Sequence, residues 1–259
     1  MLSESEIIPY HLSPPAGERV VVLAPHPDDE TFGCGGALSL LVDAKKKIKV
    51  LFLTSGDKAE SRGKGFSDRE HITEYSLLRE REAERALGVL GVSEYEFLRF
   101  PDREIHEHYQ DALQSISKTV EEFSPDTIYA PSLVELNPDH RTAAAMSMEI
   151  QRRFMAGPAE CDGRSLVRIV FYEVATPLRP NTLVDITPVY RRKKRAMKRY
   201  RSQLKLADYL GHTAALNTVR ALTVKGPRYV EAFWCIETPL SSEEIANWLS
   251  YREVLAAGY

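Results

Sequence analysis

Between Arg19 and Ala175 the chain alternates short apolar runs with amphipathic stretches of helical period. Arg19-Val-Val-Val-Leu-Ala24 is a β-branched run that stops at Pro25, the pattern of a buried strand. Residues 48–54, Glu94–Phe100, 126–130 and 166–175 read as further strands. Helical spacing predicts helices over about 31–44, 74–87, 111–123 and 140–154, the second with Leu77, Leu78, Ala83 and Leu87 turned inward. Four strand–helix units in succession predict a Rossmann-like α/β fold, a mainly parallel sheet with helices on both faces.

The last third breaks that rhythm. Residues 182–186 and 228–236 read as strands, and 189–209, 214–222 and 242–255 as helices. No linker rich in Pro, Gly or Ser divides the chain, so its 259 residues predict one domain, a core over about 19–175 and a C-terminal cap of helices and strands over 176–259. Lys+Arg 34 against Asp+Glu 37 leaves a net charge of −3, which argues against nucleic acid as a partner. No apolar run is long enough for integral membrane association. The segment Met1-Leu-Ser-Glu-Ser-Glu is acidic and unlike a signal peptide. Cys34, Cys161 and Cys235 stand at unrelated spacings, which fits reduced thiols and a cytoplasmic location better than a disulfide framework.

Ligands of open parallel sheets bind at the carboxyl ends of the strands. Three polar clusters fall there: Pro25-His26-Pro27-Asp28-Asp29-Glu30, Pro101-Asp102-Arg103 and Asn137-Pro138-Asp139-His140. His26 and Asp29 lie three residues apart in a turn entering a helix, so both can face one cation. His140 at another strand end offers a third ligand, and three protein ligands with one open position is the catalytic zinc pattern. Asp28 is then a free carboxylate beside the metal, suited to general-base work. The competing explanation makes Asp29 or Thr31 a helix N-cap only. Gly33-Cys34-Gly35-Gly36 lacks the spacing of a phosphate loop and reads as close packing of a helix on the sheet, with nucleotide binding as the weaker alternative.

With these residues in view, the sequence resembles the LmbE-like (PIG-L-like) zinc-dependent de-N-acetylases. The resemblance rests on Ala24-Pro-His-Pro-Asp-Asp-Glu30 and Asn137-Pro-Asp-His140, supported by Arg79 in Leu78-Arg-Glu-Arg-Glu82 and Asp102 in Leu98-Arg-Phe-Pro-Asp102. It implies removal of an N-acetyl group from an amino sugar or amino-sugar conjugate. It implies Zn²⁺, or another divalent metal, on His26, Asp29 and His140. It implies Asp28 as general base, Arg79 and Asp102 on substrate hydroxyls, and Asp139 orienting a neighbour. The family usually has histidine where this chain has Asn137. An asparagine donates a neutral hydrogen bond to an oxyanion but transfers no proton, which leaves three outcomes: Asp28 handles both proton transfers, His106, His108 or His212 supplies an imidazole, or turnover is weak.

Two rivals stand beside the deacetylase. One is an amidase on a non-sugar or thiol-conjugate amide; the other is a catalytically weak sugar- or nucleotide-binding module. The basic run over residues 191–201 reads as a solvated helix face or as a contact for an anionic ligand. Residues 55–70, with Arg62, Lys64 and Arg69, read as a loop, either a lid or a disordered surface loop. The sequence also admits a homo-oligomer.

Overall fold

Alternation along β1 (Arg19–Ala24) decides which face each side chain covers. Val20, Val22 and Ala24 enter one hydrophobic core and Val21 and Leu23 another, all fully buried, as the two-residue period of a strand requires. A strand apolar on both faces belongs at the centre of a sheet. In the computed structural model, which describes residues 12–59, 69–155 and 167–250, β1 lies between β2 (Lys47–Thr54) and β4 (Thr127–Pro131), parallel to both. β3 (Glu94–Phe100) pairs with β2, and β5 (Arg168–Tyr172) with β4, again in parallel. β7 (Val230–Ile236) then runs antiparallel to β5, and β6 (Thr182–Asp185) antiparallel to β7. The seven-stranded order is β3-β2-β1-β4-β5-β7-β6.

One face is covered by α1 (Asp29–Asp43), α2 (Arg69–Leu90) and α5 (Tyr190–Met197). The other is covered by α3 (Tyr109–Phe123) and α4 (Pro138–Met155), with Trp248 of α8 (Ser242–Ser250) stacked on Trp234. Short α6 (Arg201–Leu204) and α7 (Tyr209–Ala221) flank α5. The mainly parallel α/β sheet covered on both faces agrees with the sequence. No helix among the described residues is long and apolar enough to cross a membrane.

Several boundaries differ. The helix expected over 189–209 is two helices, because Tyr200 leaves helical geometry at ψ 59° and buries its ring with the hydroxyl on Glu30. α2 begins at Arg69, ahead of residue 74, and Leu77 is exposed where it was expected inside; Ala83 and Leu87 are fully buried. β5 is shorter than residues 166–175. The basic run is only partly a solvated face: Lys193 is fully buried, with Nζ 2.7 Å from Glu231, and Arg192 pairs with Asp43. The loop over 157–164, Cys161, residues 60–68 of the expected lid, the Arg69 side chain and the end of the last helix lie outside the described residues.

The glycines of α1 serve packing. A Cβ on Gly33 would stand 2.3 Å from the Tyr172 ring, and one on Gly36 would stand 2.5 Å from Ile186. α1 also kinks at Cys34 (φ −130°, ψ 18°). Beyond the kink the Glu231 carboxylate accepts from the amides of Gly36 and Ala37, both at 2.7 Å. It fills the role of a cap at what amounts to a second helix N-terminus.

Candidate metal centre and cavity

Pro25 ends β1, and its carbonyl accepts from both the amide and the hydroxyl of Thr54 on β2. The chain then turns tightly: the Asp29 carboxylate accepts the His26 amide at 2.8 Å, which ties the two side chains into one unit. Asp28, between them, has φ 155° and ψ −27°. That region costs a non-glycine residue on the order of 1–3 kcal/mol, and such strain clusters at functional sites.

His140 arrives from the first turn of α4, beyond the carboxyl end of β4. His26 Nδ1, Asp29 Oδ2 and His140 Nε2 form a triangle with sides of 3.0, 3.2 and 3.3 Å. A tetrahedral ion with ligands at about 2.0–2.2 Å spaces its donors about 3.3–3.6 Å apart. The observed triangle is within a few tenths of an ångström of that spacing. Two ring nitrogens facing each other and one carboxylate is a donor set that a divalent cation satisfies. All three residues are buried.

The far side of His26 is equally defined. Its Nε2 lies 3.2 Å from Asp102 and 3.3 Å from Asp139. A proton on Nε2, accepted by these carboxylates, leaves the Nδ1 lone pair directed at the cation position, the usual support of a metal-binding histidine. Asp102 is held in turn by the Lys58 amide at 2.9 Å, and Asp139 by the Arg103 amide at 2.6 Å. The structure thus places Asp102 and Asp139 against His26; Asp102 is buried and also lines the cavity.

The electrostatics follow from crowding. Burial alone would lower both imidazoles, but the Asp29 charge and carboxylate hydrogen bonds outweigh it. They hold His26 well above the ordinary histidine value and His140 at about 9. Burial would raise Asp29, and the two rings pull it below the usual carboxylate range. Asp28 is pushed up to about 6 by burial, against the opposing charge of Arg79.

Arg79 has partners the sequence did not disclose. Its Nη2 lies 2.8 Å from Asp28 and donates to the Pro27 carbonyl at 2.7 Å, and its Nη1 donates to the Gly56 carbonyl at 2.6 Å. The guanidinium is buried and steadies the Asp28 turn, although an edge of it reaches the cavity. Asp28 is therefore an ion-paired carboxylate, not a free one. Asn137 caps α4, its Oδ1 accepting the Asp139 amide at 2.8 Å, and it lines the cavity. His106, His108 and His212 do not line it.

Glu135 and Glu30 were not singled out by sequence. Buried Glu135 accepts the amides of Val174 and Ala175 and stands 3.6 Å from His140 Nδ1. Its position ahead of Asn137-Pro-Asp-His140 was the only signal. Glu30 is fully buried beneath the site, bonded by Thr31 and Tyr200 and pushed up to about 8 by burial. In the sequence it stood only as the last residue of the motif that begins at Pro25.

A cavity of about 450 Å³ opens over the three donors, Asp28 and Asn137. Phe32, Leu136, Val174, Leu206 and Tyr209 supply an apolar wall, with Leu136 and Leu206 exposed.

A family model described as PIG-L, GlcNAc-PI de-N-acetylase, matches residues 21–151, just over half of the chain. A diacetylchitobiose deacetylase of Thermococcus kodakarensis is 28% identical over 197 residues, 72% of this chain and 70% of that protein. A probable N-acetyl-alpha-D-glucosaminyl L-malate deacetylase 2 of Bacillus cereus is 27% identical over 228 residues, 83% and 96% of the two chains. The solved N,N'-diacetylchitobiose deacetylase of Pyrococcus horikoshii shares the fold, with a TM-score of 0.72 at 23% identity over 92% of this chain and 94% of that one. The donor triangle, the strained Asp28 turn and the capping Asn137 all lie within the matched span, and the chain belongs to the PIG-L family of de-N-acetylases.

Proposed function

We propose that this protein hydrolyses the acetamide of an N-acetylated amino sugar or its conjugate, releasing acetate and the free amine. The observation that carries the proposal is the convergence of His26, Asp29 and His140 on one point, with Asp28 and Asn137 on the same cavity. The names of the related proteins favour an amino-sugar substrate. A divalent ion held by the three donors, zinc by the chemistry of the set, supplies Lewis-acid polarisation and acidifies water.

The chain's own residues then divide the work. Asp28, at about 6, is mostly ionised at neutral pH and takes the proton of the attacking water. The same carboxyl returns that proton to the leaving nitrogen, so one group serves both transfers. Arg79 holds Asp28 in place for each. The Asn137 amide donates to the carbonyl oxygen as charge develops there. Asp102 and Asp139 keep His26 oriented.

The test is acetate release from N-acetylglucosamine glycosides by zinc-loaded protein, with Asp28→Ala as control. Acetate released by the parent protein and not by the variant supports the reading. A parent protein that binds one zinc tightly and releases no acetate from any acetamido sugar overturns it.

A further inference from the structure

The charged groups around the cavity are almost all spent on one another. Asp28 is paired with Arg79, Asp29 faces both imidazoles, Asp102 lies between His26 and the Lys58 amide, and Glu135 is held by backbone amides. Arg103 is the exception. It is exposed, it lines the cavity, and its guanidinium has no hydrogen bond or ion pair with any described residue.

Its position is nevertheless fixed. Arg103 has a left-handed backbone, φ 65°, and its amide donates to Asp139 Oδ2 at 2.6 Å. That same oxygen stands 3.3 Å from His26 Nε2. The root of the Arg103 side chain is therefore tied through one carboxylate to the donors of the metal centre. An unpartnered guanidinium on an anchored backbone is a planar fork of donors, matched to the paired oxygens of a carboxylate or phosphate.

We propose that Arg103 binds an oxyanion, a carboxylate or a phosphate, on the part of the substrate beyond the acetamide. This deepens the deacetylase reading and rests on it for the identity of the substrate, not for the charge of the ligand. The cavity then takes an anionic conjugate in preference to a neutral glycoside. The Arg103 side chain acts through binding and leaves proton transfer to Asp28.

The experiment compares zinc-loaded full-length protein with Arg103→Gln and Arg103→Lys. Three substrates are used: methyl N-acetylglucosaminide, its carboxymethyl counterpart and N-acetylglucosamine 1-phosphate. The expected result is a preference of about tenfold or more in kcat/KM for an anionic substrate, expressed mainly in KM. That ratio falls toward one in Arg103→Gln and is partly kept in Arg103→Lys. Whichever of the two anions shows the larger ratio identifies the source. Calorimetric binding of the corresponding free amines to the same proteins gives a readout that needs no turnover. Charge-dependent binding that Arg103→Gln abolishes, without acetate release, upholds the anion site and defeats the hydrolase reading. A parent protein that binds and turns over neutral and anionic ligands alike, or an anionic preference unchanged in Arg103→Gln, overturns the proposal.

Discussion

The Arg79 guanidinium stands 2.8 Å from the Asp28 carboxylate while it also holds the carbonyls of Pro27 and Gly56. One buried side chain thus steadies both the Asp28 carboxylate and the strained backbone beneath it. Arg79→Lys keeps a charge but not the fork of donors. It is expected to lower kcat by about a hundredfold, the scale of an ångström-sized misplacement. Steady-state kinetics separate the two roles: a raised KM with kcat unchanged would place Arg79 on the substrate instead.

In the proposed mechanism Asp28→Asn removes the proton acceptor and leaves the donor triangle intact. Turnover should fall by about 10²–10⁴-fold, the usual range for general-base loss. Metal content, measured by elemental analysis, should remain at parental level. His26→Ala should lose both metal and turnover. Full activity in Asp28→Asn means that another group accepts the proton.

Asn137 caps α4 and is proposed to donate to the oxyanion, two roles that substitution can separate. Its Oδ1 caps α4, so Asn137→Ala should cost about 1 kcal/mol in urea unfolding, whereas Asn137→Ser preserves the cap. Both variants lose the amide donor and should lose about 10²–10³-fold in kcat. An Asn137→Ser protein with parental kcat would show that the amide does not meet the oxyanion.

Metal binding should release protons. With His140 at about 9 and His26 well above its ordinary value, both rings are protonated near pH 7 when no cation is bound. The Nδ1 and Nε2 lone pairs proposed to bind the cation require their deprotonation. Release of about two protons per ion is expected at pH 7, with affinity rising as pH approaches about 9. The sign for stability is opposite. The rings' attraction to Asp29 stabilises the metal-free fold fully below the ordinary histidine value and fades as pH rises through the raised ones. Zinc calorimetry in buffers of different ionisation enthalpy measures the count, and an enthalpy independent of buffer would contradict it.

Lys193 and Glu231 are both buried, 2.7 Å apart. Lys193→Met strands a carboxylate in the core and should cost about 3–5 kcal/mol. Adding Glu231→Gln removes the stranded charge and should recover part of that loss. Denaturant unfolding of the two variants checks this, and equal stabilities would show that charge is not the cause.

The succession of strands and helices and the convergence of His26, Asp29 and His140 were legible because they follow from short-range rules. β-Branched runs stopped by prolines mark strand ends, and parallel strands bring those ends to one edge. The partners of these residues were not legible. Arg79 reaches Asp28 across 51 positions of sequence, and its burial in a charged helix leaves no periodic trace. Tyr200 breaks a helix by a tertiary bond to Glu30, against a local pattern that favours continuation. Lys193 sat in a largely solvated basic run, and its burial depends on Glu231 of β7 and Asn217 of α7, which the local pattern does not reveal. Gly33 and Gly36 were read as close packing, and Tyr172 and Ile186 are the surfaces they approach.

The Glu231 carboxylate that holds the Gly36 and Ala37 amides also bears on the timing of synthesis. The two partners are 195 and 194 positions apart. At ordinary elongation rates the ribosome needs about 10–40 s to cover that distance. During this interval the segment that becomes α1, with Asp29 at its start, has been synthesised and the group that holds its kinked second half has not. The segment that carries His26 and Asp29 is thus synthesised early, and only the kinked second half of its helix waits for Glu231, so a nascent chain can meet metal ions before that half is locked.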